Sequence, residues 1–340
     1  MSGELTLSVL DQSPIRKGGT AAQALRETVE LAKVAERLGY QRFWVAEHHN
    51  SAQFAGTAPE ILIGQVAANT RTIRVGSGGV MLSHYSALKV AEEFRILSAF
   101  YPGRIDLGIG RAPGSDPKTA VALAYPKPVA NLNAFPEQVS DLVGFLTNRL
   151  PDNHTFAGIA SQPGADETNV PDVWLLGSSD FSARLAASLG LPFAFADFFG
   201  NAGDIGPQVA ELYRSRFQPS EYLREPRLMA AVHVICADTN ERAEYVASSM
   251  KLMVAHMRMG GRLSALVPPE EAVRDPMLAV ANQLIGSFVR HRIEGDQESV
   301  RQQLLDVADR YGTKELIIAT NCYVFEDRIH SYELVAQAFA

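Results

Sequence analysis

The groups best suited to chemistry in this 340-residue chain stand at the ends of short apolar runs. Arg104-Ile105-Asp106-Leu107-Gly108-Ile109-Gly110-Arg111 finishes in glycine and arginine, and Trp174-Leu175-Leu176-Gly177-Ser178-Ser179 finishes in glycine and two serines that open a helical pattern. A guanidinium takes phosphate through two parallel hydrogen bonds, and the amides and hydroxyls of a first helical turn supply the rest. On neighbouring strands, Arg111, Gly177, Ser178 and Ser179 would form a phosphate clamp at one rim of a sheet, with a phosphorylated cofactor as its guest. The plainer alternatives are a rim salt bridge for Arg111 and a simple helix cap for Ser178.

Glu47-His48-His49 invites a metal reading that strand geometry weakens. Adjacent strand residues point to opposite faces, so His48 and His49 do not easily share one ion. Alternation sends Trp44, Ala46 and His48 to one face and Phe43, Val45 and Glu47 to the other. His48 is then one titratable group looking into a pocket, suited to acid–base or hydrogen-bonding work, unless it only braces backbone. Gly76-Ser77-Gly78-Gly79 places three glycines in four positions at the end of a third run. Bare backbone there lets a flat ligand lie close, or simply makes a tight turn.

The elements that must position these groups alternate along the chain. Apolar runs at residues 5–10, 43–46, 73–76, 105–109, 173–176, 193–195, 229–237 and 316–319 read as strands. Thr20 can cap a helix reaching Leu38, with Leu25, Val29, Ala32 and Ala35 on one face and Gly39 as the stop. Further helical patterns cover 59–69, 86–100, 136–148, 179–189, 208–217, 239–254, 277–289, 297–311 and 328–339, and 112–135 reads as a long connection. Eight strands, each followed by helix, is the count of a (β/α)8 TIM barrel, with an insertion rich in Gly, Pro and Arg at 256–275 after the seventh strand. An open doubly wound sheet is the runner-up, but the first strand lacks a Gly-x-Gly-x-x-Gly turn. No composition shift divides the chain, so residues 1–340 read as one domain. Barrels of this kind place their chemistry at the strand C-termini, which gathers Asp11 and Gln12, Glu47 to His49, Gly76 to Gly79, Gly110 and Arg111, Gly177 to Ser179, Asp197, Asp238, and Thr320 and Asn321 at one mouth.

The bulk numbers agree with an ordinary soluble enzyme. Hydrophobic residues make up 46% of the chain, ample for a large core, and a net charge of −7 argues against nucleic acid or an anionic membrane as the partner. Cys236 and Cys322 read as small buried thiols of a reducing cytosol rather than a disulfide. There is no membrane-spanning run and no signal-peptide pattern at Met-Ser-Gly-Glu-Leu, so a cytoplasmic location is expected.

With these residues in view, the chain resembles the bacterial luciferase-like flavin monooxygenases, nearest to their single-component FMN-dependent members. The resemblance is carried by Ser8 to Ile15, by Trp44-Val45-Ala46-Glu47-His48-His49-Asn50, and by Val75 to Leu82. It continues through Pro102 to Gly114, Leu176-Gly177-Ser178-Ser179 and Leu189 to Ala196, in the family's order. The resemblance implies a TIM barrel that binds FMN at the C-terminal mouth, the reduced FMN being supplied by a separate NAD(P)H-dependent reductase. It implies that Arg111 and the Gly177–Ser178–Ser179 turn hold the phosphate, and that His48 is the active-site histidine. It also implies that Gly78–Gly79 is a non-proline cis peptide beneath the isoalloxazine. The reaction implied is attack of reduced flavin on O2 to give a C4a-peroxide that oxygenates a small organic substrate. His48 would stabilise or protonate the oxygen species, or act as base, in a pocket that excludes water. Residues 256–275 are the candidate lid, and a homodimer through 59–69 and 86–100 is expected by the same resemblance. One departure is Gly110, where the luciferase catalytic subunit has a reactive cysteine, so light emission from an aldehyde is not expected. The rival readings are a deazaflavin-dependent oxidoreductase on the same barrel and a flavin-binding protein without turnover. A metal-dependent hydrolase is more distant.

Overall fold

Parallel strands close the molecule around its own axis. The computed structural model describes residues 5–112, 116–129, 131–163, 170–199, 205–258, 265–279 and 292–340. Strands β1 (Thr6–Asp11), β2 (Arg42–Val45), β3 (Arg74–Met81), β4 (Ile105–Gly110), β5 (Asp172–Gly177), β6 (Phe193–Ala196) and β7 (Leu228–Cys236) pair in sequence. Strand β8 (Arg292–Gly295) comes next in the chain, but it is β9 (Glu315–Ala319) that bridges β7 and β1 and completes the eight-stranded barrel. The fold is a TIM barrel, as the strand count predicts.

Alternation along each strand sorts the core into two parts. Phe43, Val45, Val75, Leu107, Val173 and Val232 point outward and pack beneath the helices. Trp44, Ala46, Trp174, Met229, Ala231, Ile317 and Ala319 point inward and fill the barrel, with Trp44 and Trp174 edge to face at 5.5 Å. At the N-terminal end of the strands the interior is plugged by charge. Asp106, fully buried, accepts from Arg42 at 2.6 Å, Trp44 Nε1 at 2.9 Å and Arg74 Nε at 2.9 Å. Arg104 spreads its guanidinium over the carbonyls of Ala67, Thr70 and Ile73, closing the turn before β3. The charged half of the Arg104-to-Arg111 motif is therefore structural.

Ten helices of eight residues or more cover the barrel among the described residues: α1 (Ala21–Arg37), α2 (Pro59–Ala68), α3 (Ala87–Phe100), α4 (Pro117–Ala124), α5 (Phe135–Thr147), α6 (Asp180–Leu189), α7 (Ile205–Arg216), α8 (Asn240–Arg258) and, past the short α9 (Pro269–Ala272), α10 (Gln297–Tyr311) and the closing α11 (Phe325–Ala338). Thr20 caps α1 by accepting from Gln23 N at 3.2 Å, and Gly39 takes φ +81° at its end. The buried face of α1 is Ala24, Thr28, Leu31, Ala32 and Ala35, with Leu25 and Val29 only half-buried at its edge.

Three elements differ from the sequence reading. Strand β3 does not stop at Gly76 but continues to Met81, with a register shift between Gly78 and Val80. The glycines sit inside the strand because neighbours crowd them: a Cβ on Gly76 would meet Asp106 Cβ at 2.6 Å. Helix α4 interrupts the expected long connection, its start set by Asp116 as cap and Pro117 in the first turn. Strand β8 was too short and polar to read. It pairs with His233 to Cys236 of β7 on the edge opposite β9, so the insertion after β7 contributes its own strand at the mouth. Residues 259–264 of the expected lid and 280–289 of the expected helix lie outside the described residues.

Candidate active site at the barrel mouth

The residues that the sequence suggests as a phosphate clamp are brought together. Strands β4 and β5 are paired, Ile109 opposite Leu175, so Arg111 and the Gly177–Ser179 turn leave the sheet side by side. The Arg111 guanidinium lies over the Phe181 ring at 3.9 Å, and Phe181 belongs to the first turn of α6. Among the described residues it takes no ion-pair partner. Ser179, not Ser178, is the cap residue of α6, and its hydroxyl makes no capping bond. The first amides of α6 are thus not filled by their own cap, which is the arrangement an anion uses. Gly177 lets the helix sit down on the strand: a Cβ there would meet Ser182 Cβ at 2.6 Å.

His48 lies three residues beyond the end of β2, half-buried. Its backbone N–H donates to Gly56 O at 2.8 Å, its ring packs on Phe54 with centroids 4.5 Å apart, and Nδ1 is buried without a hydrogen-bond partner. His49 turns instead to Glu47, Nε2 to Oε1 at 2.7 Å. Glu47, fully buried, also accepts from Tyr85 Oη at 2.6 Å and Met81 N at 2.9 Å, tying the end of β2 to the end of β3. The two histidines have different partners, and among the described residues no three or more His, Cys, Asp or Glu gather to hold a metal ion.

Burial, and secondly the charge of His49, push the His48 imidazole down to about 4. Burial and then Arg292 push His233 down to about 3. Both rings are therefore neutral at pH 7. A histidine whose folded value lies below its unfolded value of about 6.5 contributes stability above 6.5 that is lost as pH falls toward the folded value. Urea unfolding should accordingly show stability falling steadily between pH 6.5 and 4. His233→Gln should flatten that slope, and an unchanged slope in the variant would discount the buried ring as its source.

The glycine floor lies between these two groups. The Gly78–Gly79 peptide is cis. A Cβ on Gly78 would meet Leu10 Cδ1 at 2.5 Å, and one on Gly79 would meet Gly108 O at 2.7 Å and collide with Leu176 Cδ1. Bare backbone is enforced here by packing as well as by any ligand.

The rest of the rim comes from β1, β7 and β9. Gln12 accepts from Asn321 Nδ2 at 2.6 Å. His233 sits inward beyond Met229 and Ala231, Nδ1 3.3 Å from Ala319 O and its ring 4.7 Å from Phe198. Asp11 Oδ1 pairs with Arg328 at 2.7 Å, and Asp238 pairs with His330 at 2.9 Å on the surface. Phe181, Phe54 and His233 were not picked out from the sequence. The inward parity of Met229 and Ala231 carried the signal for His233, whereas the two phenylalanines are placed only by tertiary packing. Both cysteines are free and buried, and burial pushes each thiol up to about 12.

A closed parallel barrel with His48, Arg111 and the Gly177–Ser179 turn at the strand C-termini has the form of a TIM-barrel enzyme. Residues 5–336 match the family model described as luciferase-like monooxygenase, and the chain belongs to that family of oxidoreductases. It is 44% identical to the protein YwcH of Bacillus subtilis over 337 residues, covering 99% of each chain. It is 39% identical over 342 residues to the N-acetyl-S-alkylcysteine monooxygenase of the same organism, covering 98% of each. The crystal structure of apo-MsnO8 superposes with a TM-score of 0.89 at 38% identity, covering 98% of both chains. Two more distant structures share the fold alone. One is the oxygenating constituent of 3,6-diketocamphane monooxygenase in complex with FMN, from Pseudomonas putida (TM-score 0.72, 19% identity, 99% and 98% covered). The other is an F420-dependent secondary alcohol dehydrogenase (TM-score 0.64, 16% identity, 99% and 100% covered). Among the described residues no helix is long and apolar enough to cross a membrane.

Proposed function

We propose that this enzyme is an FMN-dependent monooxygenase that receives reduced FMN from a separate NAD(P)H-dependent reductase and oxygenates a small organic substrate with O2. The observation that carries the choice of FMN is the uncapped start of α6 beside Arg111, a site for a terminal phosphate. Reduced FMN would supply the oxygen-activating chemistry. Arg111, Ser178, Ser179 and the α6 amides would hold its phosphate, and Gly78–Gly79 would give its ring a bare floor. His48, neutral and with Nδ1 unpaired, would hold or move a proton at that atom beside the ring. The Phe54 ring packed on His48 and the buried side chains of Met250, Met253 and Leu266 would keep water from it.

The N-acetyl-S-alkylcysteine monooxygenase relative makes N-acylated, S-alkylated amino acids the first substrate class to try. The test has two parts. Binding is measured for FMN and for the deazaflavin F420; micromolar affinity for the deazaflavin with none for FMN overturns the cofactor reading. Reduced FMN and 18O2 are then supplied with an S-alkyl-N-acetylcysteine. One labelled atom in the organic product is the expected result, and FMN binding without oxygen transfer to any substrate class favours a flavin store. His48→Ala is expected to abolish product formation while leaving FMN bound.

The same reading includes a homodimer through α2 and α3, supported by Ile61, Ile96 and Phe100, exposed at 67%, 46% and 73% on those helices. Light scattering should give twice the chain mass for the wild type and a monomer for Phe100→Asp. A wild type that is monomeric at micromolar concentration would dismiss the interface.

A further inference from the structure

Gln12 and Asn321 meet across the seam where the first and last barrel strands pair. Gln12 directly follows β1, Asn321 lies two residues past β9, and the two strands are in register from Thr6 opposite Glu315 to Val9 opposite Ile318. Both side chains stand at the C-terminal end of the strands, beyond the inward-facing Leu10 and Ala319. Leu10 packs against the glycine floor, since its Cδ1 is what a Cβ on Gly78 would meet at 2.5 Å. The amide pair therefore borders that floor on the β1 side, across the barrel from Arg111.

The orientation of both amides is set by their neighbours. Asn321 Nδ2 donates to Gln12 Oε1 at 2.6 Å and lies 3.8 Å from Met250 Sδ. A thioether sulfur only accepts, so the Asn321 nitrogen faces it, and Gln12 must answer that nitrogen with oxygen. Gln12 Nε2 is then the open end of the pair. Gln12 as a whole is 6% exposed, yet among the described residues its Nε2 has no hydrogen-bond partner and is not sealed from solvent. An amide so deeply buried, pinned through its oxygen and unpaired at its nitrogen, calls for an acceptor. The donor is uncharged, which selects the kind of acceptor. A neutral carbonyl oxygen is satisfied by it, whereas a carboxylate desolvated there would find no counter-ion in this pair.

We propose that Gln12 Nε2, held in place by Asn321, binds a carbonyl oxygen of a ligand lying on the glycine floor. Two ligands of the reading above carry such an oxygen: the flavin in its pyrimidine ring, and the substrate in its N-acyl group. The inference rests on that reading only in that these ligands are brought to this mouth. Gln12 is then a specificity-determining donor, and Asn321 is its positioning residue.

The experiment measures FMN affinity by fluorescence quenching, then the affinity of the FMN-saturated protein for N-acetyl-S-methylcysteine by calorimetry, both at pH 8. Gln12→Glu keeps an oxygen for Asn321 but turns the open end from donor to acceptor. Asn321→Asp leaves Gln12 in place but offers it only oxygen, so the Gln12 amide turns over and presents Oε1 to the mouth. Each should weaken the same one of the two ligands about tenfold or more. Gln12→Met removes the donor without adding charge and should weaken that ligand in the same direction. Loss of FMN affinity assigns the acceptor to the flavin ring, and loss of the thioether alone assigns it to the substrate. Affinities within about threefold of wild type in Gln12→Glu, for every ligand the wild type binds, overturn the proposal. A loss in Gln12→Glu that Asn321→Asp does not reproduce overturns it too. Gln12→Met decides if a charged variant fails to fold, unchanged affinities there counting against the proposal. A wild type that binds the deazaflavin F420 and not FMN fails the cofactor reading alone, and the ratios are then read with F420, whose pyrimidine ring carries the same carbonyls.

Discussion

Arg111→Ala is expected to raise the dissociation constant of FMN by about 30- to 1,000-fold, or about 2–4 kcal/mol. The arginine would lose a charge-assisted, two-point hold on phosphate, and the α6 amides alone would remain. Stacking on Phe181 at 3.9 Å restrains the guanidinium, so less side-chain freedom would be lost on binding and more of the gross attraction would survive as affinity. Quenching of flavin fluorescence reads the constant directly. Riboflavin, which has no phosphate, provides the control: it should bind wild type and Arg111→Ala alike. Arg111→Lys should fall between, because an ammonium keeps the charge but not the planar fork. An FMN affinity within about threefold of wild type in Arg111→Ala would remove the phosphate clamp from the description of this site.

Asp106→Ala should be the most damaging single change to stability, at about 3–5 kcal/mol. The carboxylate is fully buried and serves Arg42, Arg74 and Trp44 together, and Arg42 is itself only 3% exposed in its side chain. Removing Asp106 leaves an arginine buried with its compensating charge gone, which costs more than the pair contributed when formed. Asp106→Asn keeps the shape and the bond from Trp44 but not the charge, and should cost less than Asp106→Ala. Equilibrium urea unfolding with a matched slope gives the difference. A loss under 1 kcal/mol for Asp106→Ala would mean that water reaches the plug at the foot of the barrel. Since the plug lies at the opposite end of the strands from Arg111, FMN affinity in any folded Asp106 variant should stay near that of the wild type.

Strand content, strand order and the inward face of β2 were readable from the chain because each depends on local periodicity. Apolar runs of fixed length repeat between helical stretches, and alternation alone separates Trp44 and Ala46, inside the barrel, from Phe43 and Val45, beneath the helices. The start of α4 is written locally in Asp116-Pro117, whereas β8, four residues with two charges, has no periodic signal to find. The same locality explains why the motif from Arg104 to Arg111 misleads when taken whole. Its first charges, Arg104 and Asp106, close a turn and plug the barrel foot, and only Arg111 stands where a ligand can use it.

The sequence by itself determined the barrel, the family resemblance and the neighbourhood of Arg111, Gly177 to Ser179, Gly78–Gly79 and His48, since strand alternation and strand adjacency are consequences of short-range pattern. Only the tertiary structure decided which polar groups are already satisfied. Glu47 is consumed by His49, Tyr85 and Met81, whereas His48 Nδ1 and Asn321 Oδ1 are buried and unpaired. Pairing of that kind joins residues far apart in the chain, as Asn321 joins Gln12, and it depends on distances of a few tenths of an ångström that no spacing rule encodes.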